Sequence, residues 1–219
     1  SWEIARGGDD AADMGALRAI LRNHVRGFDG ELTVGTSRGN MGISEEDACG
    51  ERAAVTIRRL AHDDVAAGAQ VIRQAFWTVA EAFGLTEENC PTNGAFLRDE
   101  ALAGELDRGT ALYGLFDAGG MAGFVALKRK DDVVFYLEKL AVLPERRGRG
   151  YGAALVGYAA EAARKAGGGM LSIGVMYENR RLVRWYERNG FARTGTRTFG
   201  HLPFVVCCMV RSLEASPRP

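Results

Sequence analysis

The sequence is short of the residues from which metal centres and disulfide frameworks are built. The cysteines form no CxxC pair, and the histidines are scattered along the chain. These residues are Cys49, Cys90, Cys207, Cys208, His24, His62 and His201. A zinc site needs clustered ligands at short spacing, so no metal is predicted. Free thiols at this low density favour a reducing, cytoplasmic compartment.

The chain also lacks an excess of either charge and any long apolar run. Its 28 basic and 28 acidic side chains give a formal net charge of zero. Without a global positive field, neither nucleic acid nor an anionic membrane surface is a predicted partner. Apolar runs such as residues 204–210 are too short to span a bilayer. Residues 1–20 contain Asp9, Asp10 and Asp13 and no apolar core, so we expect no secretory signal.

The hydrophobic pattern divides the chain near residue 53. Residues 1–53 are rich in glycine and aspartate and predict an N-terminal extension: a helix over Asp10–Arg26, a short strand over Glu31–Thr36 and a polar linker. The extension fits a dimerisation arm, a lid or the end of another module. Residues 54–213 form the main predicted domain, and residues 214–219 form a tail.

Within residues 54–213, sharper periodicities predict the element order βααβββαβαββ, a mixed α/β domain. The second helix is predicted to start at Thr92 or Asn93 and to run to about Asp107. A long strand is predicted over Val133–Leu143, directly before a glycine-rich loop.

That loop, Pro144–Ala153, reads PERRGRGYGA and leads from a strand into a helix. Backbone N–H groups at a helix N-terminus have no helical partner, and the helix dipole favours an anion there. Three arginines, Arg146, Arg147 and Arg149, can add charge-assisted contacts. The stretch therefore predicts a phosphate or pyrophosphate site, the alternative being a solvated glycine-rich turn.

The loop has no Walker A lysine–serine pair, which argues against a nucleoside triphosphatase. A Rossmann site stays open as an alternative, because Gly148, Gly150 and Ala153 satisfy the GxGxxA spacing and Glu178 follows the next strand. Two features count against it. Rossmann loops bind through backbone amides and not through arginines, and only about 65 residues follow the loop, too few to complete a doubly wound sheet.

The segment Arg147–Gly152 reads RxxGxG and resembles the (R/Q)xxGx(G/A) acetyl-CoA loop of the GNAT acetyltransferase superfamily. Residues 137–144 resemble that family's fourth strand, and residues 179–191 resemble its second cofactor motif. The resemblance covers roughly residues 54–213. It implies an α/β fold with a mixed, mostly antiparallel central sheet flanked by helices.

The resemblance also implies acetyl-CoA as cosubstrate and a division of labour within its site. The strand over Val133–Leu143 would splay from the strand over Met170–Met176, and the pantetheine arm would hydrogen-bond to the exposed strand backbone. An N–H near Leu140 would polarise the thioester, and the loop would bind the pyrophosphate. The implied cofactor residues are Leu140, Ala141, Val142, Arg146, Arg147, Gly148, Arg149, Gly150, Tyr151, Gly152, Ala153, Asn179 and Tyr186.

Glu138 is the predicted general base. An alkylamine, with a pKa near 10.4, is almost wholly protonated at neutral pH, so its attack on a thioester needs a proton acceptor. Strand alternation places this carboxylate on the same face as Tyr136, Leu140 and Val142, and places Lys139 on the opposite face as a poor partner. The alternative is a salt bridge on an exposed strand face.

Tyr186 is the second predicted catalytic residue, donating a proton or hydrogen bond to the departing thiolate; the alternative is a core tyrosine in helical spacing with Leu182. The acceptor pocket is open to several small amines. Its candidate residues are Phe76, Trp77, Cys90 and His201, each of which also fits a plain role in the core, as a free thiol or in a turn.

The sequence therefore predicts an acetyl-CoA-dependent N-acetyltransferase. It would transfer the acetyl group to a primary amine on a small molecule by direct attack in a ternary complex. A homodimer is compatible with the sequence. Two alternatives stay open: a non-catalytic acyl-CoA-binding regulatory module, and a Rossmann-like nucleotide-binding fragment.

Overall fold

The elements follow the predicted order βααβββαβαββ. The computed structural model describes residues 55–213, so the helix and strand predicted within residues 1–53 lie outside the described residues, and the domain boundaries stay predictions. The strands are β1 (Thr56–Arg59), β2 (Ala111–Asp117), β3 (Gly120–Arg129), β4 (Val134–Val142), β5 (Met170–Met176), β6 (Ala192–Thr198) and β7 (Val205–Ser212). The helices are α1 (Val65–Phe83), α2 (Asp99–Asp107), α3 (Tyr151–Lys165) and α4 (Arg180–Arg188).

The strands of the described region form one sheet in the order β1-β2-β3-β4-β5-β7-β6. Within residues 55–213, β4 and β5 are the one parallel pair, and the remaining neighbours are antiparallel. This confirms the mixed, mostly antiparallel sheet. Because a doubly wound fold needs a mostly parallel sheet, the Rossmann alternative is wrong.

Alternating side chains give the sheet two apolar faces, as β3 shows. Phe124 and Ala126 join the core that α1 and α2 cover, which we call the α1–α2 face. Val125 and Leu127 join the core that α3 and α4 cover, which we call the α3–α4 face. A strand period of two sends successive side chains to opposite faces, so one strand supplies both cores.

The second predicted helix is broken in two. Asn93 caps as predicted, accepting a hydrogen bond from the Ala95 N–H at 2.9 Å, but only a 3-10 turn follows (Gly94–Phe96). The α-helix begins at Asp99. The Leu97 carbonyl accepts a hydrogen bond from the Arg73 side chain on α1 at 2.9 Å. In a continuous helix a backbone N–H would occupy that carbonyl. This tertiary contact explains the break, which helix periodicity does not reveal.

Candidate functional site: an open strand edge, a buried carboxylate and an anion loop

The strands β4 and β5 separate after a short paired stretch. They pair from Val134 with Met170 to Tyr136 with Ser172. Beyond that point β4 continues to its end at Val142 and β5 to its own end, with no further pairing between them in the described region. The predicted splay is confirmed. The edge of β4 that faces β5 therefore presents backbone groups to an extended ligand.

A β-bulge interrupts β4 at Lys139, whose φ is 52°. Before the bulge Glu138 is opposite Ala126 of β3, and after it Ala141 is opposite Phe124. Two residues of β4 therefore stand against one of β3, which bends the strand and leaves one residue outside the regular ladder. The irregularity lies in the same stretch of β4 that has left β5.

The bulge overturns the predicted side-chain faces of β4. Regular alternation placed Leu140 and Val142 on the same face as Glu138. Instead, both pack on the α3–α4 face, whereas Glu138 lies opposite Ala126 and therefore on the α1–α2 face. One extra residue in a strand inverts the alternation beyond it.

Three charged side chains meet on the α1–α2 face. Lys139 donates hydrogen bonds from Nζ to both carboxylate oxygens of Glu105 on α2, at 2.7 and 2.9 Å. The same Nζ lies 3.7 Å from Oε2 of Glu138. The prediction that Lys139 points away from Glu138 is wrong, because the bulge turns the lysine onto that face. The exposed salt-bridge alternative for Glu138 is also wrong, since its side chain is only 11% exposed.

After β4, a 3-10 turn and two left-handed glycines lead into α3. Gly148 and Gly150 have φ of 80° and 83°, values that favour glycine, and Gly150 is the N-cap of the helix. The helical ladder begins with the Ala154 N–H bonding to the Gly150 carbonyl at 3.0 Å. The amides of residues 151–153 precede that ladder and form the N-terminal end of the helix dipole, the arrangement expected of an anion site.

A second reason for glycine in this loop is the close approach of α4. A Cβ on Gly152 would lie 3.1 Å from the ring of Trp185. The start of α3 and the middle of α4 are thus in contact beside the open edge of β4. Trp185 therefore belongs to this region.

The three loop arginines have different surroundings. Arg147 turns to α1: it donates to the Ala75 carbonyl at 2.8 Å, to the Thr78 hydroxyl at 3.0 Å and to the Val142 carbonyl at 3.2 Å. Burial lowers the pKa of its guanidinium. Arg147 therefore ties the loop to α1, whereas Arg149 is exposed and its charge helps to lower the pKa of Asp117.

Arg146 contacts Asp117, a residue that the sequence analysis did not propose for the site. Its Nε lies 3.6 Å from Oδ2 of Asp117, at the β2–β3 turn. That carboxylate also accepts the Tyr151 hydroxyl at 3.2 Å and the Gly119 N–H at 2.9 Å. The Gly119 N–H is the main cause of its lowered pKa. Asp117 thus contacts residues at both ends of the loop, Arg146 and Tyr151. Its position in a hairpin turn did not predict this role.

Two predicted cofactor residues lie on and before α4. Asn179 caps the helix, its side-chain oxygen accepting the Leu182 N–H at 3.1 Å. Tyr186 is buried on the α3–α4 face, with its ring 4.9 Å from that of Trp185 and 5.4 Å from that of Phe191. Burial raises the pKa of its phenol, so at neutral pH the hydroxyl is a hydrogen-bond donor.

The four acceptor candidates lie around α1 and the β6–β7 connection. Phe76 and Cys90 meet in an apolar cluster with Leu202, and Cys90 is 1% exposed with a thiol whose pKa burial raises. Trp77 is 51% exposed, and His201 is exposed in the β6–β7 connection. The structure therefore brings two of the four together and leaves the other two at the surface.

A cleft of about 200 Å³ opens beside this cluster. It lies between the end of α1, the end of β5 and the β6–β7 connection. Its lining residues are Phe83, Gly84, Leu85, Asn89, Met176, Glu178, Pro203 and Phe204. None of these was among the predicted acceptor residues, because the cleft joins three segments distant in sequence.

The part of the chain that is described contains no group of three or more His, Cys, Asp or Glu side chains arranged to hold a metal ion. Among residues 55–213, no helix combines the length and apolar character needed to cross a membrane.

The fold and the loop agree with a comparison against known families. A model of the acetyltransferase (GNAT) family matches residues 73–191, more than half of the chain. The chain belongs to the GNAT acetyltransferase family, as the loop motif indicated. The matched region contains the open edge of β4, the glycine-rich loop of residues 144–150 and α4.

The relatives agree with this assignment. The chain is 38% identical over 81 residues to an uncharacterised N-acetyltransferase of Mycobacterium tuberculosis (strain H37Rv), a match covering 37% of this chain and 52% of the relative. The chain thus spans about half the length of the curated relatives it matches.

Two solved structures share the fold. The PaiA N-acetyltransferase of Thermoplasma acidophilum, crystallised with coenzyme A, has a TM-score of 0.60 and 23% identity, covering 73% of this chain and 99% of its own. The ribosomal-protein-S18-alanine N-acetyltransferase of Escherichia coli has a TM-score of 0.59 and 20% identity, covering 74% and 96%.

Proposed function

We propose that this chain transfers the acetyl group of acetyl-CoA to the primary amine of a small molecule, by direct attack in a ternary complex. The observation that carries the proposal is the arrangement along β4. An unpaired strand edge that includes Glu138 leads into a loop whose backbone N–H groups lie at a helix N-terminus, all on one continuous segment.

Acetyl-CoA fits this arrangement in three parts. The edge of β4 offers backbone groups of residues 140–142 to the two amides of pantetheine. The amides of residues 151–153 and the guanidinium of Arg149 receive the pyrophosphate. Family membership and the coenzyme A bound by the Thermoplasma acidophilum relative support the same cosubstrate.

In the proposed reaction the amine nitrogen attacks the thioester carbonyl carbon. Glu138 accepts the proton that the nitrogen loses, and a backbone N–H near Leu140 stabilises the oxyanion. The carbon–sulfur bond then breaks, and the thiolate receives a hydrogen bond or proton from Tyr186. Because burial raises the pKa of this phenol, a hydrogen bond to the thiolate is favoured over complete proton transfer. The products are an amide and free coenzyme A.

The acceptor side favours a small amine with an apolar portion. The cleft beside α1 has a volume of about 200 Å³, smaller than most ligand pockets, so it limits the acceptor to a small group. Its walls include Phe83, Met176 and Phe204, with Glu178 as a single carboxylate. One acid among apolar side chains suits one ammonium group better than a polycation.

The proposal is tested by following thiol release from acetyl-CoA with a panel of primary amines: 2-phenylethylamine, ethanolamine, spermidine and an alanyl peptide. We expect turnover with at least one small amine. Glu138→Gln should lower kcat by roughly 10²–10⁴-fold, the usual contribution of a general base. Glu100→Gln, an exposed glutamate on α2, is the matched control and should leave kcat unchanged.

Two results would contradict the proposal. Acetyl-CoA binding without turnover on any amine would favour the non-catalytic acyl-CoA-binding module. Full activity of Glu138→Gln would remove Glu138 as the base.

A further inference from the structure

We propose that Lys139 and Glu105 form a positioning pair that holds the carboxylate of Glu138 in its working orientation. The inference rests on the proposed function, since it concerns the residue assigned as the base. Neither the loop motif nor the predicted strand alternation indicates a role for Lys139 or Glu105 in the site.

The first observation is that the ammonium is buried together with both carboxylates. The side chains of Lys139, Glu105 and Glu138 are 5%, 6% and 11% exposed. A buried ion pair is often no more stable than apolar residues of the same size, so stability alone gives little reason for its presence. Two glutamates sharing one buried lysine need a further explanation.

The second observation is the backbone of Lys139. A lysine at φ 52° is uncommon, and a position that needed only the bulge would favour glycine or asparagine. The bulge turns the lysine side chain to the α1–α2 face, where Glu138 lies. An unusual backbone conformation next to a reactive group is the pattern expected when the side chain has a task there.

The third observation is the unequal sharing of the ammonium. The contacts of Nζ with Glu105, at 2.7 and 2.9 Å, are hydrogen bonds, whereas its 3.7 Å separation from Oε2 of Glu138 is too long for one. Lys139 therefore attracts one oxygen of Glu138 by charge without occupying its lone pairs. Glu105 fixes the ammonium from α2, so the carboxylate of Glu138 is drawn toward one direction without a hydrogen bond to Nζ.

The test removes both members of the pair and leaves Glu138 as the one charged side chain of the three. Lys139→Met combined with Glu105→Met keeps side-chain volume and removes both charges. We expect this variant to fold, to keep the KM for acetyl-CoA and to lose kcat by roughly 10–100-fold, as a displaced catalytic group does. The exposed pair of Lys165 and Glu161, changed to methionine together, is the control and should retain the wild-type kcat. Rates are measured with acetyl-CoA and the amine of the panel that reacts fastest.

A double-mutant cycle then separates positioning from a structural role. In the Glu138→Gln background, removing the Lys139–Glu105 pair should change kcat by less than twofold, because the group it positions is already gone. Lys139→Arg, which keeps the charge but displaces it, covers the case in which the methionine variant does not fold. It should also lower kcat, and only when Glu138 is present.

Wild-type kcat in the folded pair variant, or an undiminished effect in the Glu138→Gln background, would overturn the positioning role and leave Glu138 as the base. Full activity of Glu138→Gln alone would instead overturn the assignment of the base, so the two failures can be told apart.

Discussion

Removing the ammonium of Lys139 alone should destabilise the domain, even though the intact pair with Glu105 contributes little net stability. Lys139→Met removes the ammonium that contacts both oxygens of Glu105, at 2.7 and 2.9 Å. Removing one partner of a buried pair costs about 3–5 kcal/mol, because a carboxylate stays in a poorly solvated place without that counter-charge. For a domain of this size, each kcal/mol lowers Tm by about 2–4 °C. The expected loss is therefore about 6–20 °C.

Thermal and urea unfolding followed by circular dichroism measure this change. Lys165→Met is the control: its side chain is 72% exposed and its Nζ lies 3.7 Å from Glu161, so its loss should cost no more than about 0.5 kcal/mol. Adding Glu105→Met to Lys139→Met should recover most of the lost stability. A Tm for Lys139→Met within 2 °C of the wild-type value would refute the reasoning, because it would mean that the pair is solvated.

Three further changes test other parts of the account. Gly150→Ala, at φ 83°, should cost about 1–2 kcal/mol in urea unfolding and weaken acetyl-CoA binding, whereas Gly157→Ala, exposed in α3, should stabilise by about 0.5–1 kcal/mol. Arg149→Ala should weaken acetyl-CoA binding by about 1 kcal/mol, roughly fivefold in calorimetry, without changing Tm. Arg58 lowers the pKa of Asp64 to about 2. That stabilisation is complete above about pH 5 and lost as pH falls toward 2, so Asp64→Asn should flatten the stability curve between those values. Equal effects of the two glycine changes, a Tm loss in Arg149→Ala or an unchanged curve in Asp64→Asn would contradict the respective argument.

Local signals explain what the sequence predicted correctly. The strand–loop–helix unit around Gly150 has its glycines at fixed spacing, and the cap at Asn179 depends on a side chain three residues from its N–H partner. The splay of β4 from β5 came from the family resemblance. Such features are decided within a few residues or shared throughout a family.

Tertiary contacts explain what the sequence did not reveal. The bulge at Lys139 breaks a period of two that the sequence pattern assumes to be continuous, and a partner 34 residues away accompanies it. The break before Asp99 follows from a carbonyl taken by Arg73 on another helix. Arg147 was predicted to face the phosphates, but its hydrogen bonds go to Ala75 and Thr78 on α1. A contact between Arg147 and acetyl-CoA stays a prediction.

The most direct test of the central claim is a calorimetric titration with acetyl-CoA, with coenzyme A and NAD as comparators. The account predicts micromolar binding of acetyl-CoA and coenzyme A, weakened by Arg149→Ala, and no binding of NAD. Absence of heat and of competition for both coenzyme A species would contradict an acetyl-CoA site along the open edge of β4.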